Sequence, residues 1–143
     1  MKYGFRSFSR HRHHPGYIDF GAHRFPEVNP LPLVSVSQRT GKYFKLANYR
    51  YPSQGKRKGI IFFVHGYGEY CERYAYFAKA FAEAGYDFAG IDWRNFGHSL
   101  TDPAYAGISE SWETQIEDHM AFFTAYDHHF NKEGVPRFLL GHS

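Results

Sequence analysis

The stretch Gly59-Ile60-Ile61-Phe62-Phe63-Val64-His65-Gly66-Tyr67-Gly68 decides the fold. Its opening run is apolar, unalternating and rich in β-branched residues. A run this short and uniform fits a strand buried on both faces of a parallel sheet. The glycine-rich tetrapeptide after it marks a turn at the strand's carboxyl end.

Moving toward the C-terminus, Tyr74, Phe77, Ala78, Phe81 and Ala82 recur at helical spacing and predict one helix face, stopped by Gly85. Tyr86 to Ile91 is a second apolar strand, ending at Asp92. Trp93 to Gly107 is loop. Ser109 and Ser111 are candidate caps for a long helix, with Glu110 and Glu113 suited to its first turn. Trp112, Ile116, Met120, Phe123 and Phe130 mark that helix's expected buried face. Gly134 and Pro136 end it, and Arg137 to Leu140 reads as a third buried strand. Strand, helix, strand, helix, strand implies an α/β fold with a parallel, helix-covered sheet.

Toward the N-terminus, Leu33 to Gln38 alternates apolar and polar, and Tyr43 to Tyr51 does so loosely around a Thr40-Gly41 turn. These pieces predict a β-hairpin ahead of the sheet. Met1 to Pro32 reads as a flexible basic arm, leaving 33–143 as a partial domain. His11, His13 and His14 in the arm surround Arg12. No Cys or carboxylate stands close enough to join them, so the arm is read as a solvated tail and no metal or cofactor is expected.

The chain has 143 residues, enough for one core. Aromatics make up 20%, which favours a packed core or apolar binding face over disorder. A net charge of +3 is too weak to argue for nucleic acid. It is compatible with peripheral contact at an anionic membrane surface without implying one. Cys71 is the single cysteine, so no internal disulfide forms and a cytoplasmic, reducing location is the expectation. Cys71 itself reads as a small buried residue rather than a reactive thiol. No run approaches the roughly 18 apolar residues that span a bilayer, and the N-terminus has no secretory h-region. Oligomeric state is not legible.

In open parallel sheets, ligand-binding loops gather at the carboxyl ends of strands. His65-Gly66-Tyr67-Gly68, Asp92 to Ser99, and Gly141-His142-Ser143 all sit at such ends. Gly141-His142-Ser143 matches the first positions of G-x-S-x-G, the strand-to-helix turn that exposes a nucleophilic serine. His65-Gly66-Tyr67-Gly68 suits a loop whose backbone N–H groups face an oxyanion, one such donor being worth roughly 2.7–4 kcal/mol. Neither G-x-G-x-x-G nor G-x-x-x-x-G-K is present, which argues against a phosphate loop.

On these residues, from Gly59 to Ser143, the chain resembles the monoacylglycerol lipase and lysophospholipase-like branch of the α/β-hydrolases, grouped with serine aminopeptidase-like hydrolases. The matching pieces are Val64 to Glu69, Arg73-Tyr74, Gly85-Tyr86, Gly90 to Arg94 with Gly97 and Ser99, Asp118, and Phe138 to Ser143. The resemblance implies the N-terminal half of an α/β-hydrolase fold, truncated at the nucleophile elbow. It implies Ser143 as catalytic nucleophile and the Tyr67 backbone N–H as one oxyanion donor. His65, Gly66 and Gly68 would support the oxyanion loop, Gly141 and His142 the elbow, and Asp92 and Arg94 a structural turn. Tyr70 departs where histidine is frequent. Asn95 departs where glycine is usual, although Asn tolerates positive φ.

In this fold the triad order is Ser, then Asp or Glu, then His. His65, His98, His119, His128 and His142 therefore read as loop, helix-surface or turn residues. The expected function is hydrolysis of a carboxylic ester of a lipid, monoacylglycerol or lysophospholipid, through an acyl-serine, residues 1–143 alone being inactive. Two alternatives stay open. One is a non-catalytic hydrolase-like protein that binds an apolar ligand or partner. The other is an esterase, thioesterase or peptidase of the same fold.

Overall fold

The computed structural model describes residues 22–142. Among them the elements run β1 (Glu27–Val28), β2 (Val34–Val36), β3 (Tyr43–Lys45), β4 (Asn48–Tyr51), β5 (Gly59–Val64), α1 (Ala75–Glu83), β6 (Tyr86–Ile91), α2 (Trp112–Phe130) and β7 (Arg137–Gly141). Five strands form one sheet in the order β1-β4-β6-β5-β7. β5 lies between β6 and β7 and is parallel to both. On one face Ile61 and Phe63 pack with Phe88, Ala75 and Ala78. On the other, Ile60 and Phe62 pack with Ile91, Phe122 and Tyr126. Covered faces and paired edges bury β5 from Gly59 to Phe63, hence its unalternating sequence. Each such apolar side chain contributes about 1.5–3 kcal/mol on burial.

The architecture is α/β, with a mixed sheet. β4 pairs antiparallel with β6, and β1 antiparallel with β4. The expected hairpin is present as β2 and β3, from Val34↔Lys45 to Val36↔Tyr43. Its second arm, however, breaks after Lys45, and β4 crosses into the main sheet. Asn48 permits the break. Its buried amide donates to the Leu46 and Leu31 carbonyls at 3.1 and 2.9 Å and accepts the Leu31 N–H at 3.1 Å. Backbone groups that leave one ladder before joining the next are thereby satisfied.

The segment read as an arm includes a packed stretch. Phe25 and Leu31 are buried and β1 extends the sheet, so residues 22–32 belong to the domain. The triple-histidine cluster lies outside the described residues.

Three burial expectations are corrected. On α2, Trp112, Ile116 and Met120 of the expected face are exposed, while Phe123 and Phe130 do pack, partly buried, against the core. The buried face carries Thr114, Gln115, Asp118, His119, Phe122 and Tyr126. Two polar partnerships set this orientation: Asp118 meets Arg94, and the Tyr126 hydroxyl donates to buried Asp87 at 2.6 Å. On α1 the buried positions are Ala75, Ala78 and Ala82, while Phe77 is half-exposed, because small residues let the helix approach the sheet. β7 pairs only with β5 among the described residues, and Leu139 is 68% exposed rather than buried. Neither helix reaches over it. Ser111 caps α2 as expected, its Oγ accepting the Thr114 N–H at 3.1 Å. Among the described residues no helix is long and apolar enough to cross a membrane.

Candidate active site

The loops after β5, β6 and β7 meet at the carboxyl edge of the parallel strands. β5 and β7 run in register to Val64↔Gly141, and the His142 N–H continues the ladder to the Val64 carbonyl at 3.0 Å. This pairing sets Gly141-His142 beside the loop that starts at His65. Ser143 lies outside the described residues.

His65 lies in the loop after β5 and is fully buried. Its Nδ1 donates to the Gly66 carbonyl at 2.8 Å, and its Nε2 accepts the Trp93 N–H at 3.1 Å. These bonds fit one neutral tautomer. Burial, the largest influence, holds its pKa below the ordinary value. The ring also stacks on Trp93, with centroids 5.2 Å apart. The first loop is thus pinned to the second.

The next residues turn outward. Gly68 has φ +76°, a left-handed conformation that favours glycine. The Tyr67 side chain is exposed, and its hydroxyl donates to the Gly107 carbonyl at 2.7 Å. The Tyr67 backbone N–H has no hydrogen-bond partner among the described residues. Beside this loop a cavity of about 620 Å³ is lined by Arg24, Gly68, Glu69, Arg73, His98 and Gly107, among others.

Asp92 organises the second loop. Its Oδ1 accepts the Cys71 N–H at 2.7 Å, and its Oδ2 accepts the His98 N–H and the Tyr49 hydroxyl, both at 2.9 Å. One buried carboxylate so joins the start of the α1 segment to the β6 loop and to β4. Gly97 has φ +50°, and a Cβ there would fall 2.7 Å from the Asp92 carboxyl carbon. Asn95 holds φ +67°, as its tolerance of that region predicts. Cys71 is completely buried, and burial pushes its thiol pKa well up, as expected of an inert residue.

Arg94 leaves the loop for α2. It forms paired bonds to Asp118, 2.8 Å from Nε to Oδ2 and 2.9 Å from Nη2 to Oδ1. It also reaches Glu110 at 3.0 Å, the Val36 carbonyl at 3.1 Å and Ser35 Oγ at 2.9 Å. Glu110, read as a first-turn helix residue, is drawn to Arg94 and to Ser37 and Gln38 of the hairpin. His119 is buried on α2 against Trp93, not on the helix surface.

The residues 55–143 match the family described as serine aminopeptidase, S33. The chain belongs to this α/β-hydrolase family. As an S33-type chain it is similar in structure to a thermostable carboxyl esterase from Bacillus coagulans, with 27% identity over 77% of this chain and 35% of that one, TM-score 0.64. It is also similar to a monoglyceride lipase variant from Saccharomyces cerevisiae, with 21% identity over 79% of this chain and 34% of that one, TM-score 0.56. A peroxisomal α/β-hydrolase from the same yeast shares 19% identity over 84% of this chain and 39% of the other, TM-score 0.62. The S33-type chain therefore spans little more than a third of the length of these structures. No curated protein matches it by sequence.

Two site residues were not assigned a role from sequence. Glu69 accepts the Gly66 N–H at 2.8 Å and contacts His142 Nδ1 at 2.9 Å, while its other oxygen accepts the Tyr74 hydroxyl. Tyr74 in turn lies 3.2 Å from His142 Nδ1. Burial alone would raise the Glu69 pKa, but hydrogen bonds from Tyr74, His142 and Gly66 bring it below the ordinary value. The available signal was an acid three residues after the loop glycine, a spacing suited to bonding back to its N–H. Among the described residues no group of three or more His, Cys, Asp or Glu is placed to hold a metal ion.

Proposed function

We propose that the protein, in a form continuing past Ser143, is a serine hydrolase of carboxylic esters of lipids such as monoacylglycerol or lysophospholipid. One observation carries the reading. The β5–β7 register sets Gly141-His142, the first two residues of the elbow motif, beside a loop whose Tyr67 N–H has no partner among the described residues. An uncommitted donor next to a nucleophile elbow is the arrangement that acyl transfer requires.

In this mechanism Ser143 Oγ bonds to the ester carbonyl carbon while its proton passes to a histidine from beyond residue 143. The Tyr67 N–H and the N–H of the residue after Ser143 bind the oxyanion. The intermediate expels the alcohol, which takes the proton from the histidine. Water then hydrolyses the acyl-serine by the same route. Similarity to a carboxyl esterase supports a broader reading that extends to non-glycerolipid esters.

The test is fluorophosphonate labelling of the extended protein, followed by fatty-acid release from monoacylglycerol. Labelling at Ser143 and its loss in Ser143→Ala are expected. Labelling that survives Ser143→Ala would assign the nucleophile elsewhere.

A further inference from the structure

We propose that Glu69 is the positioning residue that sets the spacing between the oxyanion donor and the nucleophile. This rests on the serine-hydrolase reading above. The β5–β7 ladder ends with the His142 N–H on the Val64 carbonyl. Among the described residues that is the last backbone bond between the two loops. Glu69 is the tie past the end of the ladder. Its Oε1 accepts the Gly66 N–H at 2.8 Å and contacts His142 Nδ1 at 2.9 Å. Gly66 immediately precedes the donor Tyr67, and His142 immediately precedes Ser143. One oxygen therefore fixes the neighbour of each reacting group.

The chemistry calls for a carboxylate. The Gly66 N–H, His142 Nδ1–H and Tyr74 hydroxyl can all donate, and an ionised Glu accepts without donating. Bonds to an ionised acceptor are roughly twice as strong as neutral ones. The Glu69 side chain is 14% exposed, which shields its bond to the Gly66 N–H, whereas the His142 side chain is 56% exposed and its contact is open to water from that side. Tyr74 holds the second oxygen and prevents the carboxylate from rotating. Arg73 stands 3.9 Å away and half-exposed, and adds little.

A group that holds the loops acts on alignment and not on substrate affinity. Misplacement by an ångström lowers rates by about 100-fold. In the extended protein, Glu69→Gln presents an amide N–H₂ to one of three donors. It is expected to lower kcat roughly 10- to 100-fold with KM within about twofold, and to slow fluorophosphonate acylation of Ser143. The Gly66 amide proton, shifted downfield by the carboxylate, is expected to move upfield in the NMR spectrum. Unchanged kcat, or an unmoved Gly66 amide, would overturn the proposal. Wild-type protein that fails to acylate would defeat the serine-hydrolase reading, while the Gly66 amide would still decide the tie. Should Glu69→Gln fail to fold, Tyr74→Phe removes one bond to the same carboxylate, with an expected drop in kcat of about three- to tenfold. Unchanged kcat in that variant would overturn the proposal equally.

Discussion

Arg94 and Asp118 face each other through two parallel hydrogen bonds, each side chain 3% exposed, and so lock the loop after β6 to the middle of α2. A buried pair of this kind costs much to break from one side, because the remaining charge has no water to turn to. Arg94→Met is expected to destabilise the extended protein by about 3–5 kcal/mol in urea unfolding. In a double-mutant cycle, Arg94→Met and Asp118→Leu are expected to couple by roughly 0.5–3 kcal/mol. Additive losses would show that the pair is not a unit.

Buried histidines set an acid limb. His119 and His65 have pKa values held below the ordinary 6.5, burial being the main cause. Below pH 6.5 the unfolded chain then binds more protons than the folded one. The stability they contribute is complete above about pH 6.5 and is lost as pH falls toward their folded pKa values. Asp87 and Glu110 lie below their ordinary 3.8 and 4.5: burial opposes this, and hydrogen bonds with ion pairs outweigh it. Their contribution persists to lower pH and is lost as pH falls through their depressed values. Urea midpoints across pH 3–8 are expected to fall in two stages. His119→Phe is expected to weaken the upper stage and leave the lower intact. A variant whose upper stage matches wild type would remove His119 from this account.

The Tyr67 backbone, not its phenol, is the proposed oxyanion donor. Tyr67→Phe loses the hydrogen bond to Gly107 but keeps the N–H, and should retain activity within about threefold. Tyr67→Pro removes the N–H and should lower kcat by about 10²- to 10³-fold. Equal loss in the two variants would place the chemistry in the side chain.

Among the described residues, the outer edge of β7 has no strand partner and is flanked by exposed Phe138, Leu139 and Leu140. Such an edge is a template for pairing with another chain. A polypeptide of residues 1–143 is expected to self-associate and to lack a sharp thermal transition, and Leu139→Lys should reduce its sedimentation coefficient. It should not turn over a nitrophenyl ester, since no triad histidine follows Ser143 in it. A monomeric, cooperatively melting 1–143 would contradict this.

The strands of the parallel core were legible because burial on both faces removes alternation, as in Ile60 to Phe63 and Tyr86 to Ile91. The Ser111 cap and the positive φ at Asn95 were also legible, being local backbone effects. The orientation of α2 was not. Its apolar stripe suggested one face, but Arg94 and Asp87, distant in sequence, turn the helix toward Asp118 and Tyr126. The departure of β4 from the hairpin likewise depends on Asn48 meeting Leu31. For the site, the motifs located the loops, but the ties between them came from Glu69 and Asp92 and needed three dimensions.

The sheet order has a consequence for how the chain is made. β1, β4, β5 and β6 already contain four of the five neighbouring strands, and all are synthesised by Ile91. Domains fold as they emerge from the ribosome, at about 5–20 residues per second. The scaffold that carries the oxyanion loop and the Asp92 turn can therefore gather before Ser143 exists. The strand leading to the proposed nucleophile is then added to an edge already formed, so its late arrival need not disturb the neighbouring loop.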